Sequence, residues 1–542
     1  MVFDTMDVRQ KKTVCLVSIL LICLFIDGCG TPAHTKQQSK LMGERALGVT
    51  VGSLAEVSSS DAIRLEGYAL VGGLNGTGSA QCPPNIRTYL TQYILKQLPE
   101  QKDVEKLINS SDTAVVLVQG MIPKGALKDQ HFDLAVFALP GTQTTSLESG
   151  WLYAADLYEA GRFGSSIRAL AKAEGPIFIN KITTSEPNKR VGYVLAGGRV
   201  LDEYKIALVL RQPDYKIASL IRNRLNEQFG DDAARAPAPG LIVLKTPPKY
   251  KNQKQRFVSI VRATYLTQTE EVTNERIKTL IRKLAVSKDK EAGEIALEAI
   301  GKGSLDKLAI LLKSSNEQVR LRAARCMLNL GSDRGLDALR QIAMDENSPY
   351  RLEALEAITT AARRNDAAAI SRRLLRDSDF DIRLAAYEAL RKLDDITITQ
   401  TLIGRSFHLE QIAQAKYREI FVARSGQPRI VLFGEIYCRD NIFLQSVDGE
   451  VTIDAPAGQD YVTIMRTHPK RPNILTLKSS FELADIIRTL CEEPVKGTAD
   501  ESLGLNVPYH DMVAILKQMV EKGLLQAEFR VGPLPKIDLI IK

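Results

Sequence analysis

Histidines, cysteines and one run of glycines are the residues whose types and spacing bear on chemistry in this sequence. The five histidines are His34, His131, His408, His468 and His510. None belongs to an HExxH pair and none has a second ligand at helical spacing, so no zinc or general-base site is indicated. A Gly-x-Ser-x-Gly elbow is also absent. The expectation is therefore a protein that is not an enzyme, with no catalytic residue, metal or cofactor. Glycine loops can cradle phosphates by pointing backbone N–H groups at them. The run holding Gly72, Gly73, Gly76 and Gly78 has neither a Gly-Lys-Ser/Thr ending nor Gly-x-Gly-x-x-Gly order. Its expected role is conformational, in a tight turn or at a subunit contact where φ > 0 or close backbone approach is needed.

The cysteines divide by position. Cys15 and Cys23 fall in an apolar run of 14 residues (13–26) that follows Arg9, Lys11 and Lys12. That length is short of the ~20 residues a membrane-spanning helix needs, and fits a secretory signal over residues 1–28. The run ends Ile26-Asp27-Gly28-Cys29, which resembles the lipobox at which a bacterial lipoprotein is cleaved and acylated; Asp27 departs from the small uncharged residue of that pattern. Cys29 is the expected lipid attachment point and 29–44 a polar tether, with Gly30 favouring the outer membrane. Cys82, Cys326, Cys438 and Cys491 remain; they allow three pairings and show no Cys-x-x-Cys spacing. Cys326 is expected as a small core residue.

Positioning these residues falls to several domains. The 542 residues carry 72 basic and 64 acidic side chains, spread without a basic tail. Only 6% are aromatic, with Trp151 the single tryptophan, so stacking on nucleic acid is not expected. Residues 45–268 read as α+β. Strands are predicted at 113–118 and 132–139, 204–210, 241–244 and 257–265, and helices at 85–98 and 214–229.

Within that region, Gly67-Tyr68-Ala69-Leu70-Val71-Gly72-Gly73-Leu74-Asn75-Gly76-Thr77-Gly78 resembles the opening signature of the flagellar P-ring protein family. Ser79 stands where the family has aspartate, and Ala69 where it has glycine. The later order agrees: a TAVVLV strand, Ala173-Glu174-Gly175-Pro176, and Arg211-Gln212-Pro213-Asp214-Tyr215 opening a helix that closes at Phe229-Gly230. Residues 483–490 and 507–528 are similar to the end of P-ring proteins, so the family pattern is expected to resume in 396–542, with strands near 429–433, 442–444 and 451–453 and helices at 481–490 and 511–522.

Between the two parts, 270–395 turns helical. Three stretches align at 319–330, 350–361 and 382–393, with a fainter copy ending at Ile300. This resembles a HEAT array, with Asn316, 347–349 and 377–379 as turns and caps. Leu321, Cys326, Met327, Leu352, Ile358, Leu384 and Leu390 are expected in its core. Arg320, Arg322, Arg325, Arg351, Arg372, Arg373, Arg383 and Arg391 offer either a basic face for an acidic partner or solvated surface. The whole is thus α+β with an all-α solenoid interrupting P-ring-like domains. The P-ring resemblance implies a structural homo-oligomeric ring around the flagellar rod in the periplasm, near peptidoglycan and beside rod and L-ring proteins. Gly67, Tyr68, Gly72, Gly73, Asn75, Gly76, Thr77 and Gly78 are its candidate turn and assembly residues. The alternative is an envelope lipoprotein scaffold that uses the same fold and its repeats to hold another protein.

Overall fold

A computed structural model describes residues 47–58, 62–97, 103–162, 168–182, 187–267, 269–467, 474–494 and 504–537. The signal, the tether, Cys29, His34 and His468 lie outside the described residues.

Six antiparallel strands close into a barrel in the order Ile63–Gly72, Thr113–Ile122, His131–Ala138, Val191–Val200, Ala171–Pro176, Trp151–Glu159 and back to the first. The alternation of a strand sends Leu65, Ala69, Val71, Val116, Val118 and Leu134 inward. The TAVVLV run has no polar alternation because both its faces are covered. Val116 points into the barrel, while Val115 packs outside under the helices Pro84–Gln97 and Val104–Ile108 with Leu70, Ile86 and Leu90.

A second, four-stranded antiparallel sheet runs Ala55–Ser58, Ile206–Leu210, Leu241–Leu244, Ala234–Ala238. The helix Tyr215–Phe229 covers one of its faces through Ala218, Ile221 and Leu225, and Asp214 caps that helix by accepting from the Lys216 and Ile217 amides. The strand expected over 257–265 is instead part of the helix Lys254–Ala263. Its β-branched residues invite a strand, but Phe257, Ile260 and Val261 sit three and four apart and bury on one side, so packing overrides propensity.

Eight helices follow, from Glu270–Val286 to Phe380–Lys392. The three aligned stretches are the second helices of successive pairs, Glu317–Asn329, Arg351–Ala361 and Phe380–Lys392. Asn316 and Asp379 cap two of them as expected. Leu321, Cys326, Met327, Ile358 and Leu390 are buried, and Leu384 partly so. Leu352 is 49% exposed. It shares a face with Glu356 and Thr359, while Arg351, Leu355 and Ile358 take the inner one.

The C-terminal region holds a five-stranded mixed sheet, ordered Thr399–Ile403, Phe407–Ile412, Arg429–Phe433, Glu419–Val422, Glu528–Val531, and a meander of Ile442–Gln445, Val451–Ala455, Val462–Thr467 and Ile474–Ser479. The helices are Leu483–Cys491 and Tyr509–Glu521. The five-stranded sheet is buried on both sides. Phe421, Val431 and Phe433 face the last repeats, while Ile420, Val422, Ile430 and Leu432 face the C-terminal core. Phe178 and Leu195 of the barrel region belong to that same C-terminal core.

Candidate functional site: the glycine loop and the contacts that hold it

The glycine-rich signature straddles the end of a barrel strand and the turn after it. Gly67 and Gly72 lie in the strand, where a Cβ would stand 2.6 Å from the Asp156 carbonyl oxygen and 2.5 Å from the Tyr153 hydroxyl. Gly73, Asn75 and Gly76 take positive φ of 80°, 53° and 89°, and all three are exposed. Leu74 between them drops into the barrel core. Thr77 and Gly78 then tie the turn down. The Thr77 hydroxyl donates to the carbonyls of Leu74 and Ser146 at 2.8 and 2.9 Å, and the Thr77 carbonyl accepts from the Thr145 amide. Gly78 lies so close to the segment 111–113 that a Cβ would overlap the Thr113 carbonyl oxygen.

The amides of Leu74, Thr77, Gly78 and Ser79 donate to the carbonyls of Asp112, Leu74, Ser111 and Thr113. Those four N–H groups are spent on the chain itself and are not available to cradle a phosphate. Ser79, where the family has aspartate, accepts from the amides of Gln81 and Gln143 through its buried hydroxyl oxygen. Arg190 braces the facing segment by donating to the carbonyls of Leu139, Thr142 and Thr144. Tyr68 packs outward against the helices over the barrel. The chemistry available here is shape: a rigid turn with a bare backbone tip.

A second set of contacts joins the barrel to the C-terminal region. The Lys181 ammonium bridges Glu148 and Asp511, at 2.6 Å from the latter, and Lys189 pairs with Glu148 at 2.9 Å. The ligand atoms of Glu148, His510 and Asp511 lie within 4.8 Å of one another, and the Lys181 ammonium already supplies the cation between the two carboxylates. Burial alone would raise Glu148, but Lys181 and Lys189 hold its carboxyl at about 2. Burial lowers the His510 imidazole, with Asp511 opposing and Lys181 reinforcing. Tyr509 packs against Phe178 and Phe407 and donates to the Ala423 and Arg429 carbonyls. Asp133 in the barrel accepts from the amides of Ala196 and Gly426, at 2.7 and 2.9 Å. Sequence reasoning missed Glu148, Lys181 and Arg190, which belong to no motif. Tyr509 was visible only as part of the C-terminal resemblance, His510 also as one of the five histidines, and Asp511 also as the start of a predicted helix.

The repeat arginines form no continuous basic face. Buried Glu294 takes Arg256, Arg322 and Arg325, and the last two also reach Glu353. Arg351 pairs with Asp377, Arg383 with buried Glu419, and Arg391 with buried Glu410. Arg372 is exposed and pairs with Asp395, and Arg320 reaches Glu317 at 3.9 Å. Arg322, Arg325, Arg351, Arg383 and Arg391 thus tie their helices to neighbouring segments, whereas Arg320 pairs within its own helix and Arg372 and Arg373 are exposed, as the solvated-surface reading has them. Because Arg256 comes from the first α+β region and Glu410 and Glu419 from the last, the ladder also joins the solenoid to its neighbours on both sides.

His131 is exposed and contacts the Ala196 carbonyl, His408 contacts Gln427, and His510 is buried. These three do not share a site. Cys82, Cys326, Cys438 and Cys491 are all buried free thiols, so none of the three possible pairings is formed.

A glycine-sealed barrel, a small α+β layer, a helical repeat and a closing α+β unit define a structural scaffold interrupted by a solenoid. Its family follows from comparison with known proteins: the chain belongs to the flagellar P-ring protein family. The family profile matches residues 50–290, and a HEAT-repeat profile matches 305–391. The flagellar P-ring protein of Thermotoga maritima is 30% identical over 235 residues, covering 40% of this chain and 68% of the relative. That of Geobacter metallireducens is 26% identical over 254 residues, covering 42% and 66%. The Desulfotalea psychrophila protein is 23% identical over 286 residues, covering 48% and 68%.

Proposed function

We propose that this protein is a subunit of a ring that surrounds the flagellar rod in the periplasm, acting as a bushing without catalysis beside peptidoglycan and the L-ring. The observation that carries the reading is the family match over the N-terminal region, where the signature folds into a rigid turn with an exposed tip. Such a turn suits a surface that must repeat identically around a ring. Gly73, Asn75 and Gly76 are the residues of the signature proposed to meet a neighbouring copy. In this reading residues 1–28 are a signal, Cys29 carries lipid that tethers the subunit to the outer membrane, and the repeats interrupt one P-ring fold that resumes in 396–542. One acyl-bearing terminus supplies only part of a stable membrane anchor, so ring contacts supply the rest.

The test is deletion of the gene in its own host, with flagella imaged and hook–basal bodies of the parent analysed by mass spectrometry. The expected result is the protein in the basal body and loss of swimming on deletion. Its absence there, with swimming intact, overturns the ring reading. A second reading, an envelope lipoprotein scaffold whose repeats recruit another protein, is favoured by the solenoid's buried ion pairs to both flanking regions, which make the repeats an integral part of the molecule. It expects the protein in the envelope fraction and outside basal bodies.

A further inference from the structure

Two sheets leave one face open, and their surroundings carry opposite charge. In the four-stranded sheet the helices cover the side of Leu208, Ile242 and Leu244. The other side places Val209 across from Leu241 and Ala207 across from Val243, with Arg235 next in register. Val209 is 43% exposed. Exposed Lys205 and Arg211 flank the strand Ile206–Leu210, and exposed Lys245 follows Leu244. Around this face Lys205, Arg211, Arg235 and Lys245 stand against two acids: Glu56, which lies across from Val209 and pairs with Arg211 at 3.5 Å, and Asp232, which pairs with Arg235 at 3.0 Å. An apolar centre inside a charged rim is the composition of a protein–protein interface.

The complement lies in the C-terminal meander. Its first strand, Ile442–Gln445, is an edge strand. It turns Ile442 and Leu444 into the core and leaves Phe443 66% exposed, followed by Val447 at 94%. Asp454 pairs in register with Phe443, and exposed Asp440 and Asp448 bracket the strand. From 440 to 461 there are five acidic residues and no Lys or Arg. A hydrophobic edge strand left open in a monomer is an association hazard unless something covers it.

We infer that the acidic edge around Phe443 of one copy seats on the basic, Val209-centred sheet face of the next copy. The inference rests on the ring reading above and deepens it by naming two further faces of the contact between copies, besides the exposed tip at Gly73, Asn75 and Gly76. The patches are different surfaces with separate cores, so the contact is head-to-tail, and repeated rotation about an axis closes it into a ring. The opposite charges orient the encounter and resist association of like faces.

The test uses the full chain in its host, with Val209→Cys and Phe443→Cys made singly and together and treated with a short bis-maleimide. The four described native cysteines are buried, which limits background. A ladder of covalent oligomers is expected from the double variant and none from either single. Cross-linking by Val209→Cys alone makes the contact two-fold and overturns the inference. No ladder, with the unmodified chain found in basal bodies, overturns this interface and leaves the ring reading standing; absence of the unmodified chain from basal bodies overturns both. Should the cysteine variants fail to accumulate, charge reversal decides. Asp440→Lys with Asp454→Lys is expected to lower the chain recovered in basal bodies about ten-fold, and Arg211→Glu with Lys245→Glu in the same chain to restore it. Unchanged recovery in the Asp variant, or no restoration in the combined one, overturns the inference.

Discussion

Gly76 and Gly78 stand two residues apart in the same loop and answer differently to the same substitution. At Gly76 nothing lies near an added Cβ, so alanine meets only the positive φ of 89°, worth roughly 1 kcal/mol. At Gly78 the Cβ would overlap the Thr113 carbonyl oxygen, and the backbone must move; overpacking of this kind costs about 1–3 kcal/mol or more. Urea unfolding of the two variants should rank Gly78→Ala well below Gly76→Ala, and equal midpoints would refute the tie to 111–113.

His510 reads out the barrel contact through pH. Its folded value is lowered by burial, so below its unfolded value of about 6.5 the unfolded chain takes up a proton that the folded chain refuses. Stability therefore falls as pH drops through that range, by at most ~1.4 kcal/mol per pH unit. Glu148 acts lower, its stabilisation present above about 4.3 and lost as pH falls toward 2. Thermal unfolding from about pH 5 to 8 should show a shallower pH slope for His510→Gln than for the unsubstituted chain. Identical slopes would remove His510 from the account. The buried thiols give a simpler check: with Cys438 pushed up to about 12 by burial, alkylation should stay slow in the native chain and reach Cys82, Cys326, Cys438 and Cys491 together once guanidinium unfolds it.

At the scale of elements, the repeat helices are joined by ion pairs taken out of water. Arg383 and Glu419 are each 3% exposed at the side chain and 2.6 Å apart. Arg383 also donates to the Asp377 and Ser378 carbonyls that precede its helix and lies over the Tyr417 ring at 4.4 Å. Removing only one partner strands the other charge, so Glu419→Leu is expected to cost about 3–5 kcal/mol. Replacing both by apolar residues should recover much of that loss. A double-mutant cycle in denaturant measures it, and additive losses would show that the two side chains act independently.

At the scale of the molecule, the solenoid is a wall of the C-terminal domain. Ile412, Phe421, Val431 and Phe433 are buried against Leu374, Ile382, Tyr387 and their neighbours in one continuous core. Excising 270–395 would expose that sheet face along with buried Glu410 and Glu419. The shortened chain is expected to aggregate or bind a hydrophobic dye, whereas a loosely inserted module would leave a soluble, cooperatively folding remainder. Light scattering and dye fluorescence distinguish the two.

Much of this was legible in the residues themselves. The helices of the repeat, the helix opened at Asp214, the barrel strand TAVVLV and the turn at Gly72–Gly78 announce themselves because backbone preference and short-range periodicity are local properties, and family likeness rides on the same local patterns. Where locality ends, so does legibility. The segment 257–263 has strand-forming residues yet is helical because its apolar spacing found a core to match. Leu352 faces out because its neighbours on the helix, not its own type, chose the buried side. The repeat arginines became internal braces only once Glu294, Glu410 and Glu419 arrived from other helices and strands. Barrel closure, the Glu148–Lys181–Asp511 link and the two oppositely charged open faces all join residues far apart in the chain. Their contacts depend on how the layers stack, and stacking is decided by the sum of burial across the whole fold rather than by any one stretch of sequence.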